Sequence, residues 1–327
     1  MFFNLPLPAD KRNQPSANFA WRVLRAYGTI KNMTKEVAGE PSVRKVSIGI
    51  VTEDISSLPT EILEKYQIVI AKTKFDWPEM EKLPGDNLYQ KIRNAEKFGV
   101  KTFPKTSQAM PKDYLDAYEK QLQIFDKVLC ITVSSKLSGC YNSTIQAREM
   151  LKEKERIFIL DSLNLPTLLI LKAIELIQEQ REVEEIITEL KNLIPKIHTY
   201  LIFEDPKWIE ALGRITKSQA NWVRRMEKIN LRPLMGMKDG LIAKDGVVFA
   251  RDMAEALFKK ILKESKKENK KLRVTINHAD NLEQAEKLKK MLEEKLEVEI
   301  PFITLAPPII AAGAGPGTLI VGWMPIK

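Results

Sequence analysis

Val128-Leu129-Cys130-Ile131-Thr132-Val133 runs directly into Ser134-Ser135-Lys136-Leu137-Ser138-Gly139, and then into a segment where Cys140, Thr144, Ala147 and Leu151 recur at helical spacing. The first six residues are apolar or β-branched, as expected of a strand covered on both faces. The hydroxyl-rich stretch that follows is a strand-to-helix turn. At the carboxyl end of a parallel sheet such a turn is where α/β proteins bind ligands, because helix N-termini present free N–H groups and a positive dipole end.

Working outward, the same short apolar runs occur at Val46–Val51, Ile68–Ala71 and Ile157–Leu160. Between them, Tyr114, Leu115, Tyr118, Leu122 and Phe125 fall on one helical face. Strands alternating with helices predict an α/β fold, its first domain a three-layer parallel sheet with helices on both faces. Beyond a further strand at Tyr200–Phe203 the pattern changes. Pro233–Met237, Leu241–Ala243 and Val247–Phe249 are separated by Asp239-Gly240 and Asp245-Gly246, and Asp-Gly between apolar runs signals a hairpin. Helices marked by Met253, Leu257, Ile261 and by Leu282, Ala285, Leu288, Leu292 flank a strand at Leu272–Ile276. Two strand-like segments close the chain around Gly315-Pro316-Gly317. This half is predicted to be a second α/β domain with a mixed or antiparallel sheet. The expected organisation is an extension at 1–45, a first domain at 46–204 and a second at 205–327.

In the extension, Ser16 is positioned to cap a short helix carrying Phe19, Trp21, Val23, Leu24 and Tyr27 among Arg22, Arg25 and Lys31. Such a basic amphipathic helix either docks on its own domain or makes weak contact with a membrane surface. The N-terminus does not read as a signal peptide, since Pro6, Pro8 and Asp10-Lys11-Arg12 interrupt its apolar start. Residues Ile300 to Ile326 carry no charge but contain five prolines and four glycines, which a spanning helix would not tolerate. No transmembrane segment is expected.

Across the 327 residues, 52 Lys+Arg against 43 Asp+Glu leave +9, with acids interspersed, which does not by itself indicate nucleic-acid binding. The basic run from Lys263 to Arg273 includes Glu264 and Glu268 and reads as a solvated helix end. Two cysteines make neither a disulfide framework nor a metal site and suit a reducing cytoplasm. Phosphate-loop, dinucleotide, zinc-protease and nucleophile-elbow motifs are all missing, and there are only two histidines, which weakens hydrolase and metal hypotheses. Cys140 at a helix start has the place of an activated thiol, but its stripe with Ala147 and Leu151 reads as core packing.

A second hydroxyl-bearing loop, Lys105-Thr106-Ser107-Gln108, precedes the helix that begins near Pro111. Two such loops in one domain suit a small singly charged anion such as a carboxylate. At these residues the sequence resembles the DegV family of bacterial fatty-acid-binding proteins. Supporting matches are Thr52 with Leu58-Pro59, Asp161-Ser162, Gly213-Arg214-Ile215, Pro233-Leu234, Asp239-Gly240, Arg251, His278-Ala279 and Gly315-Pro316-Gly317-Thr318. The resemblance implies a non-enzymatic, cofactor-free carrier of one long-chain fatty acid. Its acyl chain lies in an apolar tunnel in the first domain and its carboxylate in the inter-domain cleft, held by Thr106 and Ser135. It further implies cleft-lining places for Ser107, Ser134, Ser138, Gly139, Arg214, Arg251, His278 and Gly313, and presentation of the ligand to a fatty acid kinase for acyl-phosphate formation. His278 is alternatively structural, and Arg214 and Arg251 alternatively surface ion-pair residues.

The pattern departs from the family at Gly313, where a histidine is usual, at Leu212, where a glycine is usual, and at Glu53-Asp54, where Asp-Ser is usual. Gly313 removes a donor, and Asp54 near a cleft would repel a carboxylate. These departures motivate an alternative reading, a degenerate paralogue with a regulatory or interaction role and no lipid. A third reading is an enzyme that uses Cys140 or Asp54.

Overall fold

The structure, a computed structural model, describes residues 46–326 apart from Glu96, Asn230 and Asn269. The 1–45 extension, with the helix expected after Ser16, lies outside the described residues. The first half runs β1 (Ile48–Glu53), α1 (Thr60–Lys65), β2 (Val69–Ala71), β3 (Lys74–Asp76), α2 (Leu88–Ala95), β4 (Lys105–Ser107) and α3 (Pro111–Leu122), then β5 (Lys127–Thr132), α4 (Cys140–Met150), β6 (Ile157–Asp161), α5 (Thr167–Gln178) and α6 (Val183–Leu193). The second half continues with β7 (His198–Ile202), α7 (Lys207–Ala211), α8 (Lys217–Lys228), β8 (Leu231–Lys238), β9 (Leu241–Phe249), α9 (Met253–Ser265) and β10 (Leu272–His278), then α10 (Leu282–Lys295), β11 (Val298–Glu299), β12 (Ile303–Leu305), α11 (Pro308–Ala314) and β13 (Leu319–Pro325).

A four-stranded parallel sheet has the order β2-β1-β5-β6. Its strands alternate as a sheet covered on both faces must. Val51, Val128 and Cys130 pack under Tyr114 and Tyr118 of α3 and Ala147 of α4, while Ile48, Ile50, Leu129 and Ile131 pack under α5 and α6. The second sheet has seven strands in the order β11-β10-β13-β7-β8-β9, with β12 also pairing β10, and is mixed. The expected α/β class with one parallel and one mixed sheet is therefore observed.

Three details differ from the sequence reading. β7, expected to close the first domain before a boundary at 205, belongs to the second sheet, because His198–Ile202 pair antiparallel with Leu319–Trp323 of β13. Asp245-Gly246 does not turn the chain. It forms a bulge inside the single long strand β9, where Met235 faces Lys244 but Pro233 faces Val247. Pro233 has no N–H to give the ladder, and the Asp245 carboxylate packs against the bare face of Gly236 and pairs with Lys238 at 2.6 Å. Finally, the segment before Gly315 is a helix, not a strand. Pro307 and Pro308 start it, small residues let it pack closely, and Gly315 ends it at φ +80°.

The two sheets share α5. Its sequence, TLLILKAIELIQ, is apolar on most sides, as expected of a helix with eight of its twelve residues buried. One side packs on Leu129, Ile131 and Leu160, and the other reaches Ile197 and Met324 of the second half. Arg273, expected in a solvated run, is instead buried in β10, where it pairs with Glu175 of α5 and with Glu299 at 2.9 Å.

A strap between β3 and β4 also crosses to the second half. Trp77, Leu83, Tyr89 and Ile92 pack with Phe203, Trp208 and Ile310, and Arg93 pairs with Glu204 at 2.9 Å and Asp280 at 3.0 Å. Among the described residues no helix is long and apolar enough to cross a membrane.

Because α5 is core to both sheets, Leu169→Ala is expected to cost about 2–5 kcal/mol, the range for emptying a buried leucine site. Urea unfolding followed by tryptophan fluorescence, to which Trp208, Trp222 and Trp323 of the second half contribute along with Trp77 of the strap, and by far-UV circular dichroism should give one coincident transition shifted to lower denaturant.

Candidate functional site

A cavity of about 430 Å³ lies where the carboxyl end of the parallel sheet meets the second sheet. This is within the ~300–1,000 Å³ range of small-molecule sites. Most of its wall is apolar. Ile55, Val133 and Leu137 come from the first half, and Leu201, Ile242 and Ile310 from the second. The resemblance implies an apolar tunnel inside the first domain; the cavity observed here is lined by both halves, and the parallel sheet's own faces are filled by α3 to α6.

The polar wall comes mainly from the two hydroxyl-bearing loops. In the turn after β5, Ser134 is fully buried and points away from the cavity. Its Oγ donates to the Gly240 carbonyl at 2.7 Å, and its N–H donates to Asn164 O at 3.0 Å. Its own carbonyl takes the N–H groups of Leu137 and Ser138. Ser135 is exposed, does not line the cavity, and gives its N–H to Asp161 Oδ1 at 3.1 Å. Ser138 does line it. Its Oγ donates to Cys140 Sγ at 3.2 Å and accepts the N–H of Cys140, the first residue of α4, at 3.3 Å. Of the two residues that the resemblance pairs, Thr106 lines the cavity and Ser135 does not, while Ser138 of the same turn does. The turn's hydrogen bonds roll Ser134 inward and Ser135 outward, so the fifth residue of the turn, not the second, faces the cavity.

Thr106 and Ser107 lie in β4, with Thr106 opposite Phe75 of β3, and both line the cavity. Gln108 holds this loop against α4, its Nε2 donating to Ser143 Oγ at 3.0 Å. Gly139 makes that possible: a Cβ there would stand 1.9 Å from Gln108 Oε1.

Arg214 reaches the cavity from the second half and is exposed. Among the described residues it makes no salt bridge, and its Nη1 donates only to the Leu212 carbonyl at 3.0 Å. Gly313 lines the same wall, and the Leu212 Cδ1 lies 3.1 Å from where its Cβ would be. The space a side chain at 313 would need is therefore held by leucine. Arg251 and His278 are not brought to the cavity. Arg251 is exposed beside Glu255, and His278 is buried in β10, where its Nδ1 accepts the Asn281 N–H at 3.2 Å. Burial holds the His278 imidazole below its ordinary range. The structural reading of that histidine fits this placement.

The acid near the cavity is not Asp54, which is tied to Thr73 Oγ1 at 2.8 Å and lies outside the lining. It is Glu53, the fully buried last residue of β1. Tyr114 donates to its Oε1 at 2.5 Å and the Val133 N–H to its Oε2 at 3.1 Å. Loss of water dominates over these two bonds and pushes the Glu53 carboxyl from 4.5 up to about 7. Burial and Glu53 together push the Cys140 thiol up, the opposite of what a nucleophile needs. A carboxylate closing an otherwise apolar strand is the sequence signal for Glu53, legible only when its strand is known to be covered on both faces. Among the described residues no group of three or more metal-ligating side chains converges.

The DegV family model matches residues 47–325. The chain belongs to the DegV family. A DegV domain-containing protein of Staphylococcus aureus (strain N315) is 29% identical over 293 residues, covering 85% of this chain and 98% of that protein. Among solved structures, a fatty-acid-binding DegV family protein from Thermus thermophilus superposes with a TM-score of 0.73 at 23% identity, covering 86% of this chain and 100% of that one. A stearic-acid-binding protein from Eubacterium ventriosum does so at 0.69 and 22%, covering 84% and 97%. These likenesses establish that this DegV chain has the fold of its relatives.

The position of Glu53 has a consequence for stability. A folded-state value of about 7 against an ordinary 4.5 means the folded protein holds a proton that the unfolded chain releases. The stabilising contribution is complete below about pH 4.5 and is lost as pH rises through about 7, a change of about 3 kcal/mol. Glu53→Gln, neutral throughout, should remove that slope from urea-denaturation free energies measured across the window. An unchanged slope would contradict the assignment.

Proposed function

We infer that this chain is a binding protein for one long-chain fatty acid, with the acyl chain in the cavity between the two sheets. The observation that carries the reading is the polarity of that cavity: an apolar interior with hydroxyls of Thr106, Ser107 and Ser138 along one wall and Arg214 at an exposed position. The family relationship supports it, since the Thermus thermophilus and Eubacterium ventriosum proteins are described as binding fatty acid and stearic acid.

The energetics fit such a ligand. Each methylene removed from water is worth about 0.8 kcal/mol, so about fifteen give on the order of 12 kcal/mol before ordering costs. The carboxylate must be compensated where it leaves water. Two or three hydroxyl donors and a guanidinium supply that at the rim. The head group is proposed to lie between Thr106 and Ser138, within reach of Arg214. Ser107 and Arg214 are exposed, so a carboxylate there remains open to a second protein, and the chain is proposed to present it to a fatty acid kinase. Chemistry on the ligand is assigned to that partner: the cavity's one thiol, Cys140, is held protonated, and Asp54 does not line the cavity.

Native mass spectrometry of the protein purified from lipid-rich cells should show about one fatty acid per chain, identified by extraction. An empty protein that also fails to take up added oleate would favour the lipid-free paralogue. The triple variant Thr106→Val, Ser138→Ala, Arg214→Leu should weaken oleate binding by at least tenfold, since each bond to a charged head group is worth about 1.5–3 kcal/mol. Undiminished binding would refute this head-group placement.

A further inference from the structure

The mechanism of capture leaves one buried ionisable group unused. Glu53 ends the central strand β1, directly behind the cavity wall. Its Oε2 holds the N–H of Val133, a wall residue and the last one before the turn that carries Ser138. Its Oε1 faces the Tyr114 hydroxyl, and the Cys140 thiol, also a wall residue, lies in the same buried cluster. We propose that Glu53 is the positioning residue of the head-group turn and makes ligand capture depend on its protonation: neutral, it supports the turn, and charged, it repels an anionic ligand. The inference rests on the fatty-acid reading above and adds a regulation of that same site.

The surroundings of Glu53 make it sensitive. From α3 it faces Tyr114 and Tyr118, from β5 Cys130, from α4 Cys140, and beside it in the chain stands Asp54. None of these groups is a cation. A negative Glu53 thus has the hydrogen bonds of Tyr114 and Val133 but no counter-charge, while burial and the neighbouring Asp54 carboxylate raise the cost of charging it. The carboxyl is accordingly pushed up to about 7, where a small change of pH redistributes its proton. In the protonated form, the proton on Oε1 is directed to the Tyr114 oxygen, the Tyr114 hydroxyl turns to the Cys140 sulfur, and Oε2 still accepts the Val133 N–H. In the charged form the same wall carries a negative charge where the ligand's own carboxylate must settle. A buried charge behind that wall is less screened than one in water and repels a nearby carboxylate more strongly.

Linkage makes the coupling reciprocal. A fatty acid that binds less well to charged Glu53 must in turn raise the proton affinity of Glu53 when bound. Capture is therefore favoured on the acid side of neutrality and release on the alkaline side. The apolar part of the ligand is indifferent to this, since methylenes carry no charge. The effect belongs to the head group and vanishes for an ester.

The test is equilibrium dialysis of isotope-labelled oleate, below its micellar concentration, at about pH 6 and about pH 8.5, with affinity expected to fall about tenfold across that interval. Glu53→Gln presents a neutral amide in the same shape and should bind about equally at both pH values. Methyl oleate should show no dependence with either protein. Tyr114→Phe provides a second arm that does not rely on Glu53→Gln folding normally. It removes the bond that favours the charged carboxyl, so the midpoint of the fall should move to higher pH. A pH-independent wild type, or an equal slope in Glu53→Gln, overturns the role of Glu53 while leaving fatty-acid binding intact. Failure of wild type and Glu53→Gln alike to bind oleate at either pH overturns the fatty-acid reading itself.

Discussion

A hydrogen bond 2.7 Å long, from the buried Ser134 hydroxyl to the Gly240 carbonyl, ties the turn after β5 to the hairpin turn between β8 and β9. It is made in the interior, where losing one partner would strand the other. It also crosses from the parallel sheet to the mixed one. The approach is close enough that a side chain at Gly240, whose φ is +82°, would stand 2.7 Å from Ser134 Oγ. Two sheets that met only through apolar side chains would slide together until the space between them was filled. A short polar contact at one rim, with α5 wedged at the other side, sets their separation instead. The cavity is what remains.

The same logic explains how the remaining contacts are divided. α5 is largely apolar, with eight of its twelve residues buried, and seals the two sheets away from the cavity. The strap between β3 and β4 closes a further side with Trp77 and Phe103 set edge-on to Trp208, and with Arg93 clasping Glu204. Helices and aromatic contacts thus fix the frame, and the two hydroxyl loops are left free to face inward. Gln108 links those loops to each other's supports, reaching across the bare face of Gly139 to Ser143. This gives the Ser138-Gly139 pair two different duties: the serine offers a hydroxyl, and the glycine offers the absence of a side chain.

Much of this was legible in the chain. Short β-branched runs marked β1, β5 and β6 within a residue or two, and Asp239-Gly240 marked its hairpin, because both signals are local: burial on two faces needs apolar residues, and a tight turn needs positive φ. Three features were not legible, each for a stated reason. Residues Pro308–Ala314 lie in a charge-free stretch in which helix and strand carry the same hydropathy, so only the proline pair marks the helix. Asp245-Gly246 has the composition of a turn, and its conversion to a bulge depends on Gly236 and Pro233 in the neighbouring strand. Which of the turn's three serines faces the cavity is set by the partners Gly240, Asp161 and Cys140, which spacing along the chain does not reveal.

Leu212, Gly313 and Glu53 are best understood through the polarity of the two walls. On the second-half wall, Leu212 lies over Gly313, so a donor is absent and an apolar group takes its space. An amphiphile entering the cavity finds hydroxyls on the first-half wall only, with Arg214 the lining residue that carries a formal positive charge. The ends of the ligand are thereby distinguished by position rather than by contact strength alone. For the fatty acid proposed above, a cation at the rim and a titratable acid behind the wall would act in opposite senses on one head group. Arg214 is exposed and screened, so its attraction weakens with salt. Glu53 is fully buried and shielded from salt, so its repulsion answers to protons instead. On the proposed reading, such a site would orient a fatty acid by the surface charge and grade its grip by the interior one, and these two controls would depend on different properties of the surrounding solution.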